Sequence, residues 1–244
     1  MCEKNLKKEL SLEVEAYFTG ELATGLNYLG TAMTGLGHFK PAIELHQKAI
    51  PIYEKMGLIN GLDGCTINLG NALYDNGNIK EAVIQFNKGI KITDQSGNLQ
   101  YKSNALMSLG SIYLNLEQVD KSLEYLHRAK DIVLDMESIS SLGTIYLNLG
   151  NAYLLKNDLD STLFCYQTSL HYCKTINDTY TLGTTFNNLG EVHMKLNHMD
   201  SSFYYYSEGM RLREELNLQS DLIYSYSGLC SWYTKQKNSA KAVQ

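Results

Sequence analysis

Asn148-Leu149-Gly150-Asn151-Ala152-Tyr153 is the stretch on which the reading of this chain turns, because its Leu-Gly pair returns at a fixed interval. The pair stands at Leu29-Gly30, Leu69-Gly70, Leu109-Gly110, Leu149-Gly150 and Leu189-Gly190, so the glycines follow one another 40 residues apart. A constant period of this size marks stacked structural repeats. With each of these glycines numbered position 8, position 7 is leucine from Leu29 through to Leu229. Position 4 holds Leu26, Thr66, Leu106, Tyr146, Phe186 and Tyr226, and position 11 holds Met33, Leu73, Tyr113, Tyr153, His193 and Tyr233. Positions 4, 7, 8 and 11 share one face of a helix, which predicts a buried stripe. Glycine inside a helix costs about 1 kcal/mol against alanine. Its return at one place predicts a neighbouring helix that passes too close for a larger side chain.

A second helix follows. Twelve residues after each glycine come Ala42, Ala82, Ser122, Thr162, Ser202 and finally Ala242. Four further on are His46, Phe86, Leu126, Tyr166 and Tyr206, and three beyond those Ala49, Gly89, Ala129, Ser169 and Gly209. Small, large, small at i, i+4 and i+7 is again one helical face. Turn residues separate the two helices at Gly37-His38, Gly77-Asn78, Glu117-Gln118, Asn157-Asp158, Asn197-His198 and Lys237-Asn238. Pro41 falls where a first helical turn tolerates proline, whereas Pro51 lies deep in the same helix and predicts a kink or an early end.

Leu-Gly-x-x-Tyr followed at this distance by Ala-x-x-x-Phe-x-x-Ala resembles the tetratricopeptide repeat. The resemblance extends over nearly the whole chain and implies an all-α, right-handed α-solenoid of stacked helix-turn-helix repeats. Two features depart from the family pattern: tryptophan is absent at position 4 and proline does not close the second helix. The period is 40 rather than the family's 34, with the extra residues after the core of the second helix. Repeats of that length are similar to those of peptide-sensing bacterial regulators and animal cell-polarity adaptors, an analogy of fold only. The period predicts one domain over 1–244: residues 2–18 as the second helix of a partial repeat, full repeats at 19–58, 59–98, 99–138, 139–178 and 179–218, and a partial repeat at 219–244. Leu6 and Leu10 take apolar places in the first of these helices, Cys2 its small place, and Ala242 is expected to open a last one. A chain that starts and stops inside a repeat, without polar caps, is expected to be a segment of a longer protein, or to have its ends completed by a partner.

Bulk composition narrows the function. Hydrophobic residues make up 44% of the chain, enough for a core. The net charge is −5 and no basic run exceeds a pair such as Lys7-Lys8, so a nucleic-acid partner is not expected. The five cysteines form no Cys-x-x-Cys pair, and no apolar run approaches the roughly 20 residues of a membrane span. A cytoplasmic location is expected, or a periplasmic or extracytoplasmic one if the segment comes from an exported protein. No phosphate loop, nucleophile elbow or paired-carboxylate site is present, and the histidines show no i, i+4 pairing for a metal. His46 and His193 stand at large-residue positions, where packing accounts for them. Neither an enzyme nor a cofactor is expected.

The resemblance implies that first helices line a groove, with positions 2, 5, 6, 9, 12 and 13 as candidates. Asn68, Asn148 and Asn188 stand at position 6, and Asn71 and Asn151 at position 9. A side-chain amide offers both a donor and an acceptor, so such a row can pair with the backbone of an extended peptide. Alternatively these amides are solvated or bond the adjacent repeat. Ile67, Met107 and Leu147 at position 5, with Tyr74, Leu114, Leu154 and Met194 at position 12, add an apolar component, part of it available to core packing. Lysine and arginine are absent from positions 2, 5, 6 and 9, with only Lys195 and Lys235 at position 13, so a clamp for acidic tails is not expected. The expected function is a non-catalytic scaffold that binds a protein or peptide in its groove. The alternatives are a ligand-sensing module of a larger signalling or transcription regulator, and an architectural unit that self-associates end to end.

Overall fold

The computed structural model describes the backbone of residues 2–242 and the side chains of residues 19–219 and 221–237. Among the described residues every regular element is a helix: α1 (Cys2–Gly35), α2 (Phe39–Met56), α3 (Ile59–Asp75), α4 (Ile79–Ser96), α5 (Leu99–Asn115), α6 (Val119–Asp135), α7 (Leu142–Leu155), α8 (Leu159–Ile176), α9 (Thr179–Lys195), α10 (Met199–Glu215) and α11 (Gln219–Ala242). The chain divides into two compact units, Met1–Ile112 and Tyr113–Gln244. In the first, α1 pairs with α2 and α3 with α4, while α3 also lies against α1 and α2. In the second, α7 pairs with α8 and α9 with α10, and α9 lies beside both α7 and α11. First helices are therefore neighbours of first helices within each unit.

The helices stop where the backbone turns left-handed. This happens at Gly37, Gly57, Gly77, Gly97, Glu117, Glu137, Asn157, Asn177, Asn197 and Asn217, one residue in every 20. Glycine adopts that conformation freely and asparagine tolerates it better than most residues. The next N–H then reaches back to the carbonyl five residues earlier, as in His38 to Met33 (2.9 Å), Asn78 to Leu73 (2.8 Å) and His198 to His193 (2.8 Å), and so caps the helix end. Counting on by 20 gives Tyr17 and Lys237, side chains for which left-handed backbone costs about 1–2 kcal/mol. There the helices run on: α1 is continuous from Cys2 to Gly35 and α11 from Gln219 to Ala242. The separate helix expected over 2–18 and the turn expected at Lys237-Asn238 are accordingly missing. The places given to Cys2, Leu6, Leu10 and Ala242 lie outside the described side chains.

The repeated small and large residues build the core. Ala42, Ala82, Ser122, Thr162 and Ser202 are fully buried, as are His46, Phe86, Leu126 and Tyr166, with Tyr206 nearly so. A side chain on the position-8 glycine would strike the large residue of its own hairpin: Gly30 faces His46, Gly70 Phe86, Gly150 Tyr166 and Gly190 Tyr206. The close neighbour of each of these four glycines is thus one ring on the second helix. Pro51 neither shortens nor ends its helix, since α2 runs on to Met56 and matches α4 and α8 at 18 residues. Gln47, whose carbonyl loses its usual helical partner at Pro51, is an exposed residue.

Candidate peptide-binding surface

The side chains expected to line a groove gather in recesses within each unit. In the first, Asn68 and Asn71 border a hollow of about 360 Å³ with Thr31, Thr34, Gly35 and Asp75. In the second, Leu114, Asn151, Leu154 and Asn188 share one of about 350 Å³ with Glu191 and the edge of Tyr166. Asn151 and Asn188 also border a larger recess of about 780 Å³ that runs to Tyr224 and Ser231. Asn148 and Tyr74 are half-buried like the other expected residues. Position 5 turns inward instead: Ile67 and Leu147 are buried, because Ile67 lies over Gly89 of the paired helix and Leu147 joins a cluster with Tyr166, Leu189 and Val192. Met107 is the exception at position 5, half-buried like the apolar residues of position 12.

The amides are tied across repeats. Asn68 Nδ2 donates to Asn27 Oδ1 (3.2 Å) and Thr31 Oγ1 (3.1 Å), and Ser108 Oγ donates to Asn71 Oδ1 (3.3 Å). Asn188 Nδ2 donates to Asn151 Oδ1 (2.8 Å), which also accepts from the Tyr166 hydroxyl (2.7 Å). Position 6 of one repeat therefore meets position 9 of the repeat before it, 37 residues away. The bonds run to side chains of the adjacent repeat, and they occupy only part of each group. Among the described residues Asn151 Nδ2 and Asn188 Oδ1 have no protein partner, so a donor and an acceptor stay available in an orientation fixed by the ladder.

The charged residues of the large recess are Glu191, Lys195, Arg213 and Asp221. Lys195 pairs with Glu191 at 2.9 Å, and Lys235 donates to the Met194 carbonyl, so neither position-13 lysine is a loose cation. Arg213 comes from the second helix α10, a source that the sequence reading left out. It stands at position 31, which is Tyr53, Thr93, Val133 and Cys173 in the earlier repeats, all of them buried. Arginine at a place otherwise given to core side chains is the signal that could have found it. Arg213 is a buried residue, and its Nη1 donates to Ser225 Oγ (2.8 Å), which passes a bond on to Asn187 Oδ1 (3.2 Å). Burial pushes the Arg213 pKa down, and the nearby Asp221 carboxylate pulls it back up.

His46 and Cys65 are buried together in the core. Burial lowers His46 to about 4 and raises Cys65 to about 12, and their side chains touch at 3.7 Å. His193 stacks on Tyr205 with centroids 5.1 Å apart. Among the described residues no three His, Cys, Asp or Glu side chains converge as metal ligands, and no helix is long and apolar enough to cross a membrane.

Three family models, each described as Tetratricopeptide repeat, match residues 22–56, 67–96 and 105–140. No curated protein matches the chain. Among solved structures it is similar to BtubC (BKLC) from P. vanneervenii, with 18% identity over 84% of this chain and 90% of that one and a TM-score of 0.63. It is similar also to a Rap protein complexed with Competence and Sporulation Factor, with 14% identity over 90% of this chain and 65% of that one and a TM-score of 0.64. A third is a Signal Transduction ATPase with Numerous Domains protein with a tetratricopeptide repeat sensor from Pyrococcus horikoshii, with 17% identity over 92% of this chain and 38% of that one and a TM-score of 0.66. At such identities the likeness is one of fold, and the fold is the stacked helix-turn-helix solenoid.

Proposed function

We propose that this chain, which belongs to the tetratricopeptide-repeat family, is a non-catalytic scaffold that binds an extended peptide or protein segment along its first helices. The observation that carries this reading is the cross-repeat ladder, which holds amides half-exposed at the rim of recesses with one hydrogen-bonding end unspent. An extended backbone carries donors and acceptors of the complementary kind, and pairing with them is tolerant of ligand sequence. Half-buried apolar side chains at position 12, Leu114 and Leu154 among them, would receive ligand side chains. A preformed surface binds without the cost of ordering its own side chains. That a Rap protein of this fold is solved with Competence and Sporulation Factor supports the reading by analogy.

The test is panning of a randomised decapeptide library against the immobilised chain, with Asn188→Ala and Asn68→Ala as variants. Each amide-to-backbone bond is worth about 1 kcal/mol, so each substitution should weaken captured peptides by about fivefold, while the lost ladder bonds lower Tm by only about 2–4 °C and leave the chain folded. Enrichment that survives both substitutions together would overturn the reading.

A further inference from the structure

The start of α3 departs from the other repeats in two ways at once. It reads Asn60-Gly61-Leu62-Asp63-Gly64, where the other repeats have Glu21, Tyr101, Ser141, Thr181 and Asp221 in place of Gly61. In place of Gly64 they have Thr24, Asn104, Thr144, Thr184 and Tyr224. Two glycines within one turn weaken a helix. Asp63 stands where the other repeats carry the uncharged Ala23, Ser103, Gly143, Gly183 and Ile223, and it is fully buried. Its Oδ1 accepts from the Gly64 N–H (2.6 Å) and its Oδ2 from Ser96 Oγ (2.7 Å). Among the described residues no cation lies within ion-pair distance of it, and Lys102 pairs instead with Asp94. A buried carboxylate without a cation is costly.

The glycines make room for aromatic rings. A Cβ on Gly61 would enter the Tyr53 ring, and one on Gly64 would meet Tyr101 Cζ at 2.6 Å. Both tyrosines border a recess of about 500 Å³ together with Tyr28. Tyr28 is 70% exposed and Tyr101 half-buried, so both present ring surface to whatever enters, while Tyr53 is buried beneath them. Tyr28 stands at position 6, where the next four repeats carry asparagine or serine. Burial raises the pKa of Tyr101, and the Asp63 carboxylate and Tyr28 raise it further, so the carboxylate and these phenols lie within electrostatic reach of one another.

We propose that this tyrosine-walled recess binds a methylated ammonium group, carried either by a trimethyllysine side chain or by a free quaternary amine. Tyrosine rings attract a cation through the negative faces of their π-systems. The buried carboxylate beside Gly64 adds a negative field that no neighbouring cation cancels. Its oxygens are enclosed and already accept from Gly64 and Ser96, so they offer nothing to the N–H donors of an entering lysine or arginine. A methylated ammonium has the charge without those donors and forfeits no hydrogen bond by entering. The site goes beyond the extended-peptide reading, because a free amine would fill it as well.

Choline and 3,3-dimethylbutanol share a shape and differ in charge, which makes them the deciding pair. In saturation-transfer NMR on the full chain, read from the ligand methyl protons, choline should bind saturably and the alcohol about tenfold more weakly, the order of two cation–π contacts. Tyr28→Ala should weaken choline by about fivefold, and Tyr28→Phe, which keeps the ring, should leave it nearly unchanged. Both variants change an exposed side chain and leave the core intact. Asp63→Asn should weaken choline and spare the alcohol; if that variant does not fold, the Tyr28 pair decides. Acetyl-trimethyllysine amide that binds more tightly than choline assigns the site to a peptide side chain, and the reverse order assigns it to a free amine. Absence of choline binding, equal binding of the alcohol or of acetyl-lysine amide, or choline binding that survives Tyr28→Ala overturns the proposal. Peptide panning that fails while choline still binds would instead discard the extended-peptide reading and leave this site standing.

Discussion

Tyr166 donates its hydroxyl to Asn151 Oδ1 at 2.7 Å, so a ring buried in one hairpin sets the direction of an amide on the ligand-facing surface. Core and surface are joined by one bond, which makes the pair open to test. Tyr166→Phe removes the bond and nothing else of comparable size. It should cost about 1 kcal/mol, a loss of about 2–4 °C in Tm for a chain of this length. Peptide capture should fall as well, because Asn151 keeps only Asn188 to orient it. Calorimetry paired with the library panning checks both effects, and unchanged capture would mean that Asn151 needs no help from the core.

Alanine at Gly150 should behave opposite to its helix propensity. A Cβ there would drive into the Tyr166 ring, which is fully buried and has no room to retreat. Overpacking of this kind costs about 1–3 kcal/mol, more than the roughly 1 kcal/mol that alanine returns to the helix. Gly25, also helical, has open space where its Cβ would be, and Gly25→Ala should raise stability by up to about 1 kcal/mol. Urea unfolding of the two variants should therefore shift in opposite directions.

Acid should weaken the first unit through His46. Its pKa is about 4 in the folded chain against 6.5 for a free imidazole, because burial disfavours the charged ring. Between those values the unfolded chain binds the proton and the folded one does not, so stability falls as pH drops from about 6.5 to 4. The 2.5-unit gap corresponds to about 3 kcal/mol once the pH lies below both values. His46→Phe, which copies Phe86 over Gly70, removes a buried Nε2 that has no partner and should flatten the pH dependence over that window. Chemical denaturation of the two forms at pH 7.5 and pH 4.5 measures the difference.

Glu117 and Glu137 hold left-handed backbone that the other turns give to glycine or asparagine. Replacing each by asparagine, as at the equivalent positions 157 and 177, should stabilise the chain by about 0.5–1 kcal/mol per site. The two gains should add in the double variant, since the sites share no partners. A thermal melt that does not rise would show that glutamate has compensating contacts in these turns.

How much was legible depends on whether the information is local. The hairpins and their buried faces were legible because Leu-Gly and the small-large-small pattern repeat within one helix each. The partner of the glycine was half legible: Tyr166 and Tyr206 stood out as large, yet nothing local says that their rings press on Gly150 and Gly190. The ladder was not legible, because the 37-residue offset between Asn188 and Asn151 exists only once repeats stack. Arg213 lies on a second helix, and only its place among Tyr53, Thr93, Val133 and Cys173 sets it apart in the sequence. The helix ends were misjudged at Tyr17 and Lys237 because a period alone does not tell whether the residue due for a turn can make one.

The cross-repeat ladder also works as a ruler. Neighbouring helices pack about 8–10 Å apart, and an extended chain advances about 3.3 Å per residue. A segment laid across α1, α3 and α5, where Thr31, Asn68, Asn71 and Ser108 form the ladder, would therefore meet equivalent ladder positions about every third residue. Side chains of an extended strand alternate faces every second residue, so successive ladder positions would meet opposite faces of the ligand in turn. A recognition motif read by this surface should show its preferences at spacings of three and six, a signature that can be sought in the sequences of whatever peptides it captures.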